Sequence, residues 1–233
     1  FVGFTLQYEM SYTNILNMLE LSSIPIYSNE RKEEDPIIIA GGPCAYNPEP
    51  LAPFIDFFYI GEGEVQYDQI FDLYKSHKAL GASRDDFLVK MLEVEGIYVP
   101  KFYDVTYKED GTIASFLPNH PKAKSMINKQ VVMNMDEVFY PNKQVLPWIQ
   151  AVHDRVTLEM FRGCLRGCRF CQAGMVYRPV REKSKEKLLS HAKKLLNSTG
   201  YDEISLSSLS TSDYSQLPEF MDGLLEMCSK EKV

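Results

Sequence analysis

Three of the chain's five cysteines stand in one short stretch, FRGCLRGCRFCQAG, residues 161–174. Their spacing is C-x3-C-x2-C: Cys164, Cys168 and Cys171. Three thiolates in one loop hold a soft metal ion or an iron–sulfur cluster. A structural zinc site closes with four ligands, most often built from C-x2-C pairs. Here only Cys168 and Cys171 form such a pair, so a fourth ligand would come from His153, His191 or Cys228. A cubane cluster is the other solution. Three protein ligands leave one of its irons open to a substrate or cofactor. The flanking residues suit that second solution. Arg162, Arg166 and Arg169 would favour thiolates and offset cluster charge. Gly163 and Gly167 relieve crowding where backbone bends around an inorganic core.

The elements that must position this loop follow from hydrophobic pattern. VTLEMF, residues 156–161, is strand-like and runs straight into the cysteines. SKEKLLSHAKKLLNSTG, residues 184–200, is a helix: Ser184 caps it, apolar residues recur at Leu188, Leu189, Ala192, Leu195 and Leu196, and Gly200 ends it. DEISLSSLSTSD, residues 202–213, is a strand giving way to a polar loop, and PEFMDGLLEMCSK, residues 218–230, is a helix. The order is β-α-β-α with the cysteines after the first strand. Parallel folds place their chemistry in loops at the carboxyl ends of strands. Met175 and Tyr177 read as packing residues, and Arg178 and Arg181 as solvated-face arginines.

The first 95 residues alternate in the same way. FVGFT is a buried strand, and residues 12–21 suit a helix capped by Thr13 or Asn14. PIIIAGGP and DFFYIGEGE are short apolar strands ending in glycines, as in a parallel sheet covered on both faces. NPEPLAPF reads as a turn plus a short helix, and VQYDQIFDLYKSH and DDFLVKMLEVEG as amphipathic helices. A doubly wound α/β sheet is expected. Residues 96–155 change character. IYVPKFYDVTYKEDGTIASF predicts a β-hairpin turning at Asp110-Gly111, followed by an irregular connector rich in Pro, Asn and Lys.

Composition narrows the function classes. A net charge of −7 gives no basic footprint for nucleic acid. No segment approaches the roughly 18 apolar residues of a membrane span. Five cysteines, three of them clustered, do not form a secreted disulfide framework, so a reducing, cytoplasmic setting is expected. The chain opens on a core strand without a starting Met and stops just after a helix, so an excised piece of a longer protein is expected.

C-x3-C-x2-C with an aromatic, Phe170, before the last cysteine resembles the radical S-adenosylmethionine (SAM) superfamily. The resemblance implies that Cys164, Cys168 and Cys171 each bind one iron of a [4Fe–4S] cluster. SAM would chelate the fourth iron and be cleaved reductively to methionine and a 5′-deoxyadenosyl radical. By the same resemblance Phe170, Gln172 and Gly174 lie near the cofactor. Ser207, Ser208 and Ser210 take the place of the polar motif that binds the SAM amino group, although no G-G-E is present. No single side chain is assigned as catalytic. An electron donor such as flavodoxin or ferredoxin is implied, and the substrate is left open.

Residues 1 to about 65 resemble the second half of a cobalamin-binding domain, with Gly41-Gly42, Gly61 and Gly63 at strand ends where a cofactor tail would approach. The D-x-H-x-x-G loop that supplies the cobalt ligand is absent, so cobalamin is implied only for a full-length parent. The whole arrangement resembles radical SAM proteins with a B12-binding domain, close to the YgiQ-like group. The expected architecture is a partial cobalamin-binding-like domain at 1–95, a connector with a β-hairpin at 96–155, and the first βα units of a partial TIM-like barrel at 156–233. A fragment of that kind is expected to hold a cluster poorly and to be inactive alone. A zinc-stabilised α/β scaffold is the alternative.

Overall fold

The computed structural model describes residues 1–149 and 152–231. Residues 150 and 151 of the expected connector, and the last two residues, lie outside the described part. The chain divides into two compact units, Phe1–Val131 and Val132–Val233.

In the first unit, β1 (Val2–Thr5), β2 (Ile38–Gly41) and β3 (Phe57–Tyr59) form a parallel sheet in that order, and β4 (Ile97–Tyr98) closes it antiparallel to β3. Val2 stands opposite Ile38, and Ile39 opposite Phe57. All three residues of β3 are buried, which is why its sequence is apolar without alternation. The helices α1 (Tyr12–Leu21), α2 (Tyr67–Ala79) and α3 (Arg84–Met91) turn Ile15, Leu19, Ile70, Phe87 and Met91 into the core. Neither Thr13 nor Asn14 caps α1. Ser11 precedes its first turn, and the Ser11 hydroxyl donates to the Tyr8 carbonyl instead. Ser83 caps α3 in a reciprocal box with Asp86. The Asp110-Gly111 turn joins β5 (Tyr103–Tyr107) to β6 (Ile113–Pro118) as expected, with Gly111 at φ +81°. NPEPLAPF forms only a short 3-10 turn at Glu49–Leu51.

The strand-end glycines have a visible cause. At φ +96°, a Cβ on Gly42 would lie 3.0 Å from the Leu6 carbonyl oxygen. One on Gly61 would collide with the backbone of Gln130. The close approach at both places is made by the protein's own chain. At the amino end of β3, Asp56 is 4% exposed and accepts from Arg31 (3.0 Å), Arg84 (2.5 Å) and the Ile38 N–H (2.6 Å). A buried carboxylate requires such partners.

In the second unit, β7 (Val156–Glu159) pairs in parallel with β10 (Ile204–Ser207), setting Glu159 opposite Ser207. Val156 and Leu158 point into a core shared with α5 (Lys185–Thr199) and α6 (Leu217–Glu231) through Leu188, Ala192, Leu195, Phe220 and Leu224. The Ser184 hydroxyl accepts from the Lys187 N–H at 3.2 Å, and Gly200 ends α5 at φ +74°. Among the described residues no helix is long and apolar enough to cross a membrane.

Candidate metal and cofactor site

The cysteine loop has a closed stem. β8 (Phe161–Arg162) pairs antiparallel with β9 (Arg181–Glu182), matching Phe161 to Glu182 and Arg162 to Arg181. The residues between them form one excursion from the carboxyl end of β7. At its foot Gly163 holds φ +93°, and a Cβ there would lie 2.5 Å from the Pro179 carbonyl oxygen. Arg181 is buried rather than solvated. Its guanidinium donates to the carbonyls of Pro179 (3.0 Å), Tyr177 (3.2 Å) and Val132 (2.8 Å). Arg181 thus serves three carbonyls in one group, two of them, Pro179 and Tyr177, at the far side of the loop. The period of apolar residues carries no sign of this.

Within the excursion Cys164 and Cys171 are half-buried, Cys168 is exposed, and all three are free thiols. The Arg166 N–H donates to Cys164 Sγ at 3.5 Å, and the Cys171 N–H to the Cys168 carbonyl at 3.0 Å. Phe170 is 93% exposed. Gln172 opens the one-turn helix α4 (Ala173–Val176), its carbonyl accepting from Met175 and Val176. Gly174 is buried, with open space where a Cβ would stand. Met175, expected to pack, is instead exposed, because α4 is too short to turn every apolar side chain inward.

Two of the arginines are tied to carboxylates. Arg162 Nε donates to Glu159 Oε1 at 2.7 Å. Arg166 binds both oxygens of Asp213, with Nε to Oδ2 at 2.7 Å, and so ties the cysteine loop to the loop after β10. Hydrogen bonds from Arg166 and then from Ser210 hold the Asp213 carboxyl below its usual range. Asp213 is not marked in the sequence by any motif. A charged pair between two loops leaves no local pattern, and only the shared strand-end position of both loops signals it. Of the serines, Ser207 ends β10 and Ser208 bonds the Thr211 hydroxyl at 2.8 Å. The ion pair of Arg166 with Asp213 thus joins the cysteine loop to the segment that carries Ser207, Ser208 and Ser210.

Of the candidate fourth zinc ligands, His153 is exposed ahead of β7, and the other two pack in or against the core. His191 is 5% exposed in the core, its ring 4.9 Å from that of Tyr140 and its Nδ1 3.4 Å from Asn142 Oδ1. Burial, then the charges of Lys183, Lys187 and Lys194, lower its pKa. Cys228 packs against the core from α6. Among the described residues no three His, Cys, Asp or Glu side chains are gathered closely enough to hold a metal ion. The donor chemistry still fits an iron–sulfur group: three free thiols on one loop, with arginines interleaved.

Two family models match the chain. Residues 1–100 match the model described as radical SAM proteins, N-terminal, and residues 158–232 match that of the radical SAM superfamily. An uncharacterized protein of Methanocaldococcus jannaschii is 25% identical over 224 residues, which is 96% of this chain. The chain spans 41% of that relative's length.

Proposed function

We propose that this chain, whose two family matches support membership of the radical SAM superfamily, carries the cluster-binding part of a radical SAM enzyme. One observation carries the reading. Three free thiols sit on a single stem-closed excursion at the carboxyl end of a parallel strand pair, inside the segment matched by the superfamily model. In this reading Cys164, Cys168 and Cys171 are the protein ligands of a [4Fe–4S] cluster. When bound, that cluster supplies the electron for reductive cleavage of SAM.

The chain's own residues do the rest. Gly163 and Arg181 shape the loop so that its thiols stand on one excursion. Exposed Phe170, with the backbone of Gln172 and Gly174, offers an apolar and hydrogen-bonding edge to a nucleoside. Ser207, Ser208 and Ser210 offer hydroxyls to the polar end of the same ligand. The finer placement among YgiQ-like proteins with a cobalamin-binding-like first domain, the electron donor and the cytoplasmic setting belong to the same proposal, as does the expectation that this chain alone turns over little SAM.

Anaerobic reconstitution with iron and sulfide tests it. The chain takes up both, develops visible sulfide-to-iron absorbance, and loses it when Cys164, Cys168 or Cys171 is changed to Ala. A chain that holds zinc tightly and takes up no sulfide would overturn the reading.

A further inference from the structure

Lys183 is the only lysine among the described residues whose side chain is fully buried. It follows β9 directly, and its N–H donates to the Met160 carbonyl at 2.9 Å, between β7 and β8. Its ammonium donates to Glu159 Oε2 at 2.9 Å and to the Glu159 carbonyl at 3.1 Å, and it lies 4.5 Å from the centre of the Tyr140 ring. The same Glu159 carboxylate accepts from Arg162 Nε at 2.7 Å and Nη2 at 3.3 Å. Burial pushes the Glu159 carboxyl up, but the hydrogen bonds from Arg162 and Lys183 outweigh it and hold the group below its usual range. Arg162 stands two residues before Cys164. One carboxylate thus clamps a cation from each side of the stem, at the strand end where Glu159 faces Ser207.

A buried ion pair is by itself weak evidence for stability, because the cost of burying its charges offsets their attraction. The place of Lys183 at the stem gives it two other effects. It fixes the rotamer of Glu159 and through it Arg162, and so the path of the chain into the first cysteine. It also adds a cation to the Glu159–Arg162 pair at the stem, where surroundings tune the charge and potential of a thiolate-held group.

We propose that Lys183, acting through Glu159 and Arg162, is a positioning residue of the cysteine loop that holds its stem and raises the reduction potential of the group the loop binds. The inference rests on the radical SAM reading. The test compares wild type with Lys183→Met, Lys183→Arg and Arg162→Gln, each as the whole chain. Before loading, thermal unfolding reports the fold. After anaerobic loading, iron and sulfide per chain and a redox titration followed by electron paramagnetic resonance report the site. Lys183→Met folds near the wild-type midpoint, because Glu159 keeps Arg162. It loses more of its iron and sulfide on desalting, and what remains reduces at a lower potential. Lys183→Arg restores both. A purely structural role would move the unfolding midpoint and leave the potential alone.

A wild-type cluster matched in iron content and potential by Lys183→Met overturns the inference and leaves the radical SAM reading standing. A wild-type chain that takes up no iron and sulfide overturns both. If Lys183→Met fails to fold, Arg162→Gln carries the test, since it cuts the link to the loop and leaves the buried pair whole. An Arg162→Gln cluster identical to wild type then overturns the inference.

Discussion

Gly163 and Gly200 share a left-handed backbone, but only the first is crowded. A Cβ at Gly163 would lie 2.9 Å from the Tyr177 carbonyl oxygen as well as 2.5 Å from that of Pro179, whereas one at Gly200 would meet nothing. Gly200→Ala should therefore cost about 1 kcal/mol, the price of left-handed backbone alone. Gly163→Ala adds a clash at the loop foot and should cost about 1–3 kcal/mol more, read by urea unfolding. Equal losses would mean that the stem is not packed as described. His191 gives a pH signature at the same scale. Its folded pKa is lowered, so the unfolded chain takes up the proton first as pH falls through the ordinary value of 6.5. Stability of the second unit is full above that value and declines below it, by at most about 1.4 kcal/mol per pH unit. Asp136 works against this shift, and Lys183, Lys187 and Lys194 work with it. Urea midpoints measured from about pH 8 to about pH 5 should show the decline, and His191→Phe should flatten it.

At the scale of elements, α5 illustrates what the sequence makes legible. Ser184, the apolar stripe through Leu188, Ala192 and Leu195, and Gly200 announce a capped helix, and the structure places all of them in those roles. Ser184→Ala should cost about 1 kcal/mol and Ser184→Thr much less, by thermal unfolding. The strands β2 and β3 and the Asp110-Gly111 hairpin are legible for the same reason: period and turn chemistry are local. The two-residue strands β8 and β9 are not. They pair residues far apart in sequence, and too few of them exist to carry a period. Arg181 reads as a solvated-face residue, and Lys183 draws no reading at all, because burial of a charge depends on partners that come from other elements. The same limit hides Asp213, while the three cysteines are plain because their spacing lies within a single loop.

At the scale of the molecule, each unit has its own hydrophobic core. Asp56 anchors the first. Asp56→Asn strands the buried guanidinia of Arg31 and Arg84, which should cost about 3–5 kcal/mol. Hydrogen exchange should show lost protection for β2 and β3 amides, with Val156 and Leu158 unchanged; equal loss in both units would contradict separate cores. The cysteine loop belongs to the other unit. Its most direct test is electron paramagnetic resonance of the anaerobically reconstituted, dithionite-reduced chain, with and without SAM. The expected result is a [4Fe–4S]⁺ signal that SAM perturbs and that disappears on changing any one of Cys164, Cys168 and Cys171 to Ala. A reconstituted chain with no such signal, or one whose signal survives all three substitutions, would contradict it.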